Sequence, residues 1–400
     1  MPTVTLADIQ AARDRLSDDI YHSPCPYSLG LSRLCDAEIY CKLDALQHTG
    51  SFKERGARNK LLLLSDAEKK QGVICASAGN HALGLSYHGQ LLGVKVTVVM
   101  PKWAPLVKVA NCRANDAEII LHGDSYDDAK KRALDLAKRD GKTYIPGFDD
   151  PAIIAGAGTM GLEILDDVPD VDAVIVPVGG GGLIAGVGLA IKSLKPSVHI
   201  IGVETDNAPT FRASLDAGRV VRIETKPTLA DGLAIAEIGK LPFEIAREVV
   251  DDLVMVDEEQ VARAVLRLME HEKLVVEGAG AVPLAAAMRK SLGLQGKKVV
   301  LCLCGGNIDV TVIGRIIERG MAVDGRLCRI VVSVDDRPGG LVKLLNVIAA
   351  AGASVKEVEH DRQFGPADIA KVMVRVVIET RDAHHIAEVH EAIRNAGIAV

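Results

Sequence analysis

The fold class is decided by the stretch VPVGGGGLIAG, residues 176–186. An apolar run with the character of a buried strand leads directly into four glycines, and a helical pattern follows them. Backbone N–H groups without neighbouring Cβ atoms can surround an anion, and the start of a helix adds positive potential. The stretch therefore predicts a strand, a phosphate-binding loop and a helix, as in α/β proteins.

Apolar runs of strand length alternate with helical patterns on both sides of this stretch. A helix is expected over residues 5–18 and a strand over 38–43. Strands that alternate with helices predict βαβ units and parallel sheets, whose ligands bind where the strands end. The main predicted strands are 72–76, 94–100, 117–121, 173–178, 199–203 and 298–304.

The composition fits a cytoplasmic protein with a core of aliphatic side chains. Only 3% of the 400 residues are aromatic, and the net charge is −6. No basic field is present that would attract nucleic acid or a membrane surface. The N-terminus lacks the pattern of a signal peptide, and the eight cysteines have no disulfide-framework spacing.

The character of the sequence changes near residues 320–326, which we interpret as a linker. A strand (328–334), a turn, a helix (341–351), two strands (353–359 and 370–379) and a helix (383–396) are expected after it. This βαββα order predicts a small ferredoxin-like α+β domain.

Three more motifs place small, polar and basic residues near strand ends. They are TGSFKERGA (residues 49–57), ASAGNHALG (76–84) and VVLCLCGGN (299–307). The second motif leaves exposed N–H groups between a strand and a helix, where a carboxylate could bind. The glycine loop by itself permits a dinucleotide interpretation, since Gly180–Ala185 fits G-x-G-x-x-A and Glu204 follows about twenty residues on.

Together, the four motifs resemble those of fold-type II pyridoxal-phosphate enzymes, and most closely those of threonine dehydratases (threonine ammonia-lyases). Serine racemases and serine dehydratases are related. The stretches 154–159, 228–232 and 277–281 also fit the family pattern, so the resemblance covers roughly residues 5–320. It implies an α/β fold similar to the tryptophan synthase β subunit. The implied catalytic domain spans 1–322, with a smaller subdomain inserted at roughly 48–150.

The resemblance also implies the site. Lys53 would form the Schiff base with pyridoxal phosphate and act as the base at the substrate Cα, since a desolvated lysine can lose its proton. Phe52 would lie against the cofactor ring, Asn80 at its 3′ oxygen, and Cys304 at its ring nitrogen. The phosphate would bind Gly179, Gly180, Gly181, Gly182 and Leu183, and the substrate carboxylate would bind Ser77, Ala78, Gly79, Asn80 and His81.

The implied reaction is the β-elimination of L-threonine to 2-oxobutanoate and ammonia, with L-serine giving pyruvate. The alternatives are a serine racemase, and a serine or hydroxyaspartate dehydratase. Racemases of this type carry a serine as second base where this chain has Ala78, which cannot transfer a proton. An NAD-dependent oxidoreductase is a more distant alternative, and a non-catalytic amino-acid sensor is another.

Two further features follow from the resemblance. Glu204 and Ala208 occupy positions where relatives bind a monovalent or divalent cation, although Thr210 replaces an aspartate there. Residues 328–400 resemble an ACT domain, a regulatory module that pairs with a second copy and therefore implies a homodimer or homotetramer. Its amino-acid effector would bind at Asp336, Pro338, Gly339, Gly340 and Leu341.

Overall fold

The computed structural model of the chain describes residues 4–16, 19–362 and 370–399. It separates into two units, residues 1–309 and residues 310–400. Within the described ranges, no helix is both long enough and apolar enough to cross a membrane.

The first unit alternates strands and helices, as the sequence predicted. The last two residues of the helix expected over 5–18 lie outside the described residues. Its elements are α1 (Leu6–Leu16), α2 (Leu29–Cys35), β1 (Glu38–Lys42), α3 (Lys53–Leu62), α4 (Asp66–Gln71), β2 (Val73–Ala76), α5 (Asn80–Leu91), β3 (Val96–Met100), α6 (Leu106–Ala114), β4 (Glu118–Leu121), α7 (Tyr126–Asp140), β5 (Thr143–Tyr144), α8 (Pro151–Asp167), β6 (Ala173–Pro177), α9 (Gly182–Leu194), β7 (His199–Thr205), α10 (Thr210–Asp216), α11 (Lys240–Val249), β8 (Asp252–Val256), α12 (Glu258–Glu272), α13 (Gly278–Ala287) and β9 (Lys298–Cys302).

These strands form two parallel sheets. The larger sheet has the order β1-β9-β6-β7-β8, and the smaller one, inside the range 48–150, has the order β4-β3-β2-β5. Every residue of β2, β3 and β6 is buried, as expected for parallel strands covered by helices on both faces. The loops after β2, β6 and β9 all lie at carboxyl ends of strands, where open α/β sheets bind ligands.

A buried cluster of charged side chains ties the start of α3 to β1 and α8. Arg55 donates to Asp44 (Nε to Oδ2, 2.6 Å) and to Glu163 (Nη1 to Oε1, 2.6 Å). The Lys42 ammonium lies 2.7 Å from the second oxygen of Glu163. Moving Arg55 away from Asp44 and Glu163 would leave buried charges without partners, which is energetically costly. The cluster therefore fixes the position of the helix that begins at Lys53.

The second unit contains α14 (Val310–Val323), β10 (Leu327–Asp335), α15 (Gly340–Ala350), β11 (Ser354–Asp361), β12 (Lys371–Glu379) and α16 (Ala383–Asn395). Its antiparallel sheet has the order β10-β12-β11, and alternate residues of β12 are buried. The elements from β10 onward follow the predicted βαββα order. Helix α14 belongs to this unit, with Ile316 and Gly320 buried, whereas the sequence placed the end of the first domain at residue 322.

Candidate active site

The predicted motifs, which are distant in sequence, meet at the carboxyl ends of the strands. Ser51 forms a bridge with Gly305, and the Phe52 N–H donates to the Cys304 carbonyl at 3.0 Å. The segment that precedes α3 is therefore joined directly to the loop that follows β9.

Lys53 is the first residue of α3, and its amine is held inside the cleft. Its Nζ donates to the Gly147 carbonyl at 2.7 Å and lies 5.0 Å from the ring centroid of Phe52 and 6.0 Å from that of Phe148. Burial lowers the pKa of Lys53 to about 8, against the attraction of nearby acidic groups, which acts in the opposite direction. About a tenth of this amine is therefore unprotonated at pH 7, far more than for an ordinary lysine, and can act as a nucleophile or a base.

The glycine loop after β6 has no room for side chains. Gly181 has a φ of +87°, which favours glycine, and a Cβ atom on Gly180 would overlap the ring of Phe148. Helix α9 begins at Gly182, so its first N–H groups have no acceptor within the helix. The loop is thus a cradle of backbone donors that fits the phosphate of pyridoxal phosphate.

Asn80 is the first residue of α5 and takes part in a polar chain. Its Nδ2 donates to Glu277 Oε1 at 2.7 Å, and its Oδ1 accepts from Asn307 Nδ2 at 2.9 Å. Burial, followed by the charge of Asp231, raises the pKa of Glu277 to about 7. Glu277 and Asn307 were not among the predicted site residues, although both lie in motifs that fit the family pattern.

Cys304 follows β9 and is only 4% exposed. Burial raises the pKa of its thiol well above the ordinary value. The thiol therefore stays neutral, which suits contact with an uncharged ring nitrogen.

The predicted carboxylate-binding segment, residues 77–81, forms the turn into α5. Ser77 Oγ accepts from the Gly79 N–H at 3.2 Å. His81 is buried, and its Nε2 lies 3.1 Å from the Ile145 carbonyl. Because a carbonyl only accepts, Nε2 carries the proton. Burial, together with the charge of Lys53, lowers the pKa of His81 to about 4. The imidazole thus supports the segment that leads to Gly147, and the His81 contribution to carboxylate binding would come from its backbone N–H.

The two residues predicted for a cation have other partners. Glu204 Oε1 accepts from the Phe211 N–H at 2.6 Å and Oε2 from the Arg212 N–H at 2.9 Å. The Ala208 carbonyl accepts from the Thr210 N–H at 2.9 Å. In the part of the chain that the structure describes, no group of three His, Cys, Asp or Glu side chains is placed to hold a metal ion. Glu204 therefore serves the start of α10.

Parallel α/β sheets, a lysine at a helix start whose pKa is lowered by burial, and a glycine cradle are together typical of fold-type II enzymes that use pyridoxal phosphate. The chain belongs to the family of pyridoxal-phosphate-dependent enzymes, which it matches over residues 16–305. Within that family it is 46% identical to the L-threonine ammonia-lyase of Thermotoga maritima over 397 residues, 99% of each chain.

Two solved structures are similar to most of this chain. The processed form of threonine deaminase isoform 2 from Solanum lycopersicum has a TM-score of 0.76 and 36% identity, covering 80% of this chain and 91% of that one. Serine racemase from Dictyostelium discoideum has a TM-score of 0.73 and 34% identity, covering 77% of this chain and 100% of that one. The expected fold-type II architecture is confirmed.

Proposed function

We propose that this protein is an L-threonine ammonia-lyase, which converts L-threonine to 2-oxobutanoate and ammonia and L-serine to pyruvate. The observation that carries the proposal is the Lys53 amine, whose pKa burial lowers to about 8. It lies 6.0 Å from the ring of Phe148, and the same ring packs against Gly180 of the glycine cradle. The identity of 46% with an L-threonine ammonia-lyase over almost the whole chain supports the same reaction.

Each residue of the cleft would bind a different part of pyridoxal phosphate. Lys53 would hold pyridoxal phosphate covalently, and Asn80 would donate to its 3′ oxygen. Phe52 would cover the ring, and the neutral thiol of Cys304 would face the ring nitrogen. The phosphate would be bound by the N–H groups of Gly179, Gly180, Gly181, Gly182 and Leu183.

The chemistry requires a proton to leave the substrate Cα. When bound, pyridoxal phosphate supplies the electron sink that makes this proton acidic. The Lys53 amine is the base that takes the proton, because its lowered pKa keeps part of it unprotonated near neutral pH. The first N–H groups of α5, from Gly79 to His81, would hold the substrate carboxylate and so direct the Cα–H toward Lys53.

Racemization is the second interpretation and is less well supported. It requires a base on each face of the Cα, and the methyl group of Ala78 cannot carry a proton. The dinucleotide interpretation requires a free acidic side chain at Glu204, whose two oxygens instead accept from the Phe211 and Arg212 N–H groups.

The test combines absorbance with product analysis. The protein loaded with pyridoxal phosphate should show a visible band that changes when L-threonine is added, with 2-oxobutanoate as product. Lys53→Ala should lose both the band and the product. Lys60→Ala, in the same helix but paired with Asp150 at 2.6 Å, is the matched control and should retain both. An unchanged spectrum in Lys53→Ala would refute the assignment, and a band without product would direct the assay to serine, hydroxyaspartate or racemization.

We further propose that the second unit is an ACT-like regulatory domain that binds an amino acid and pairs with a second copy. The support is its βαββα order and the turn before α15, where Gly339 has a φ of +94° and Arg362 binds Asp336 with Nε and Nη2. Thermal-shift screening with the proteinogenic amino acids tests amino-acid binding, and light scattering tests pairing with a second copy. A monomeric protein whose melting temperature responds to no amino acid would refute both claims. The proposed effector residues are Asp336, Pro338, Gly339, Gly340 and Leu341.

A cation at Glu204 and the Ala208 carbonyl would have to share these oxygens with backbone donors. Calorimetric titration of the cofactor-free protein with K⁺, Mg²⁺ and Ca²⁺ tests this proposal. Saturable binding that disappears in Glu204→Gln would establish the site, whereas equal binding in the variant would refute it.

A further inference from the structure

The side-chain amide of Asn80 is held at both ends. Its Nδ2 donates to Glu277 Oε1 at 2.7 Å, and its Oδ1 accepts from Asn307 Nδ2 at 2.9 Å. The same Nδ2 of Asn307 also donates to the Thr49 carbonyl at 2.7 Å. These four residues form a continuous chain of hydrogen bonds, which we call the Asn80 relay, from a backbone carbonyl to a carboxyl group.

The Thr49 carbonyl sets the direction of the whole relay. A carbonyl only accepts, so Asn307 must turn its NH₂ group toward Thr49. The second N–H of that group then reaches the Asn80 oxygen, which settles the orientation of the Asn80 amide as well. The Asn80 NH₂ group faces Glu277, and the relay uses one of its two N–H bonds. The other N–H remains for a ligand.

The surroundings leave the relay little freedom. Glu277 is only 6% exposed, and a Cβ atom on Gly305 would overlap its Oε1. Gly50, with a φ of +72°, is packed equally closely, since a Cβ atom there would lie 3.0 Å from Asn307 Cγ. Asn80 and Asn307 are partly exposed, whereas Glu277 is buried. The Asn80 amide has two fixed partners, so it cannot turn over without breaking both hydrogen bonds.

We propose that Asn307 and Glu277 are positioning residues that fix Asn80 as a hydrogen-bond donor toward an anionic oxygen of the bound cofactor. The proposal rests on the proposed function for the identity of that cofactor. The orientation of the Asn80 amide itself does not depend on it.

Asn307→Asp is the sharpest test, because it preserves shape but replaces the donor group with an acceptor. Asn80 must then turn its NH₂ group toward residue 307, so its oxygen faces the cofactor. We expect the affinity for pyridoxal phosphate to fall at least tenfold, as for loss of a hydrogen bond to a charged group. The loss and the shift in the cofactor absorbance maximum should match those of Asn80→Ala, and the double variant should lose nothing further.

Glu277 offers a matched pair of variants. Glu277→Gln can still accept from Asn80 through its amide oxygen, so we expect an affinity close to that of the unmodified protein. Glu277→Leu removes the acceptor and one of the two fixed partners of Asn80, while Asn307 still sets the direction of the amide. We therefore expect an affinity between that of the unmodified protein and that of Asn80→Ala. Equal losses in Glu277→Gln and Glu277→Leu would contradict a role through Asn80.

A second measurement needs no cofactor. In the cofactor-free protein, the urea midpoints of Asn80→Ala, Asn307→Asp and the double variant should be clearly non-additive, because the two side chains share one hydrogen bond. Asn307→Ala replaces Asn307→Asp in the cycle if the aspartate prevents folding. Additive changes in the urea midpoint would refute the Asn80 relay, irrespective of whether the protein binds a cofactor. A protein that never binds pyridoxal phosphate but shows the coupling would overturn the proposed function alone.

Discussion

Replacing Lys53 by methionine is expected to change the pH dependence of stability in the cofactor-free protein. Burial lowers the pKa of this amine from 10.5 to about 8, so the unfolded chain binds a proton that the folded chain releases between these values. The free energy of unfolding of the unmodified protein should therefore rise with pH in this window. Below pH 8 the folded protein carries the full penalty for a protonated Lys53, about 3 kcal/mol for such a difference in pKa.

Methionine has similar length and no charge, so the variant lacks this penalty. The stability of Lys53→Met relative to the unmodified protein should be largest at pH 7 and should decrease by about 2.5 kcal/mol by pH 10. Urea unfolding at pH 7, 8, 9 and 10 measures the difference, and titrating groups that do not feel the charge of Lys53 cancel in it. Glu277 and His81 do feel that charge, but their pKa values of about 7 and about 4 lie at or below the lower end of this pH range. Leu61→Val, in the same helix and without a titratable group, is the control and should differ from the unmodified protein by a constant amount. A constant or widening difference for Lys53→Met would refute the assigned burial of the amine.

The remaining predictions concern the cradle, the buried ion cluster and cofactor capture. Gly180→Ala should weaken cofactor binding at least tenfold in a spectrophotometric titration, because its methyl group would overlap an aromatic ring. An unchanged Kd would contradict the cradle. Arg55→Lys should lower the free energy of unfolding by about 3 kcal/mol, since one ammonium cannot replace the paired contacts with Asp44 and Glu163. A decrease of less than about 1 kcal/mol in the free energy of unfolding, measured with urea, would contradict a buried cluster, because an exposed ion pair contributes up to about that amount. The rate of cofactor capture by the cofactor-free protein should rise about tenfold from pH 7 to a plateau above about pH 9, as Lys53 loses its proton. Stopped-flow absorbance measures this rate, and a pH-independent value would exclude Lys53 as the capturing amine.

The sequence was informative where burial is uniform. Strand β6 lies in the middle of its sheet, so all its side chains are buried and the apolar run of 173–178 is unbroken. Strand β8 lies at the edge of the same sheet and contains an exposed Asp252 and partly exposed residues. Its sequence therefore lacks a continuous apolar run, and the strand was not predicted. Strand β5 has two residues, too few for any periodicity.

The site was predictable only where a motif is continuous. Lys53 and Asn80 each lie in a recognisable stretch, and the structure brings both to the same edge. The partners that give them their properties are far away in sequence, since Gly147 lies 94 residues from Lys53 and Glu277 lies 197 residues from Asn80. At Glu204 the sequence alone could not show that both carboxylate oxygens accept from the backbone N–H groups of Phe211 and Arg212.

The first turn of α3 carries two side chains with different roles: Lys53, whose buried amine destabilises the fold at neutral pH, and Arg55, which holds the helix in place. Residues two positions apart on a helix point to nearly opposite sides, so Lys53 can face the cleft while Arg55 faces the buried cluster. Partial desolvation of the Lys53 amine lowers its pKa and thereby destabilises the folded protein at neutral pH. The Arg55 guanidinium holds the same helix turn through five hydrogen bonds to Asp44, Thr159 and Glu163. None of these five bonds involves the Lys53 amine. The amine can therefore be kept away from water, as its proposed role as a base requires, because residues on the other side of the helix hold the helix in place.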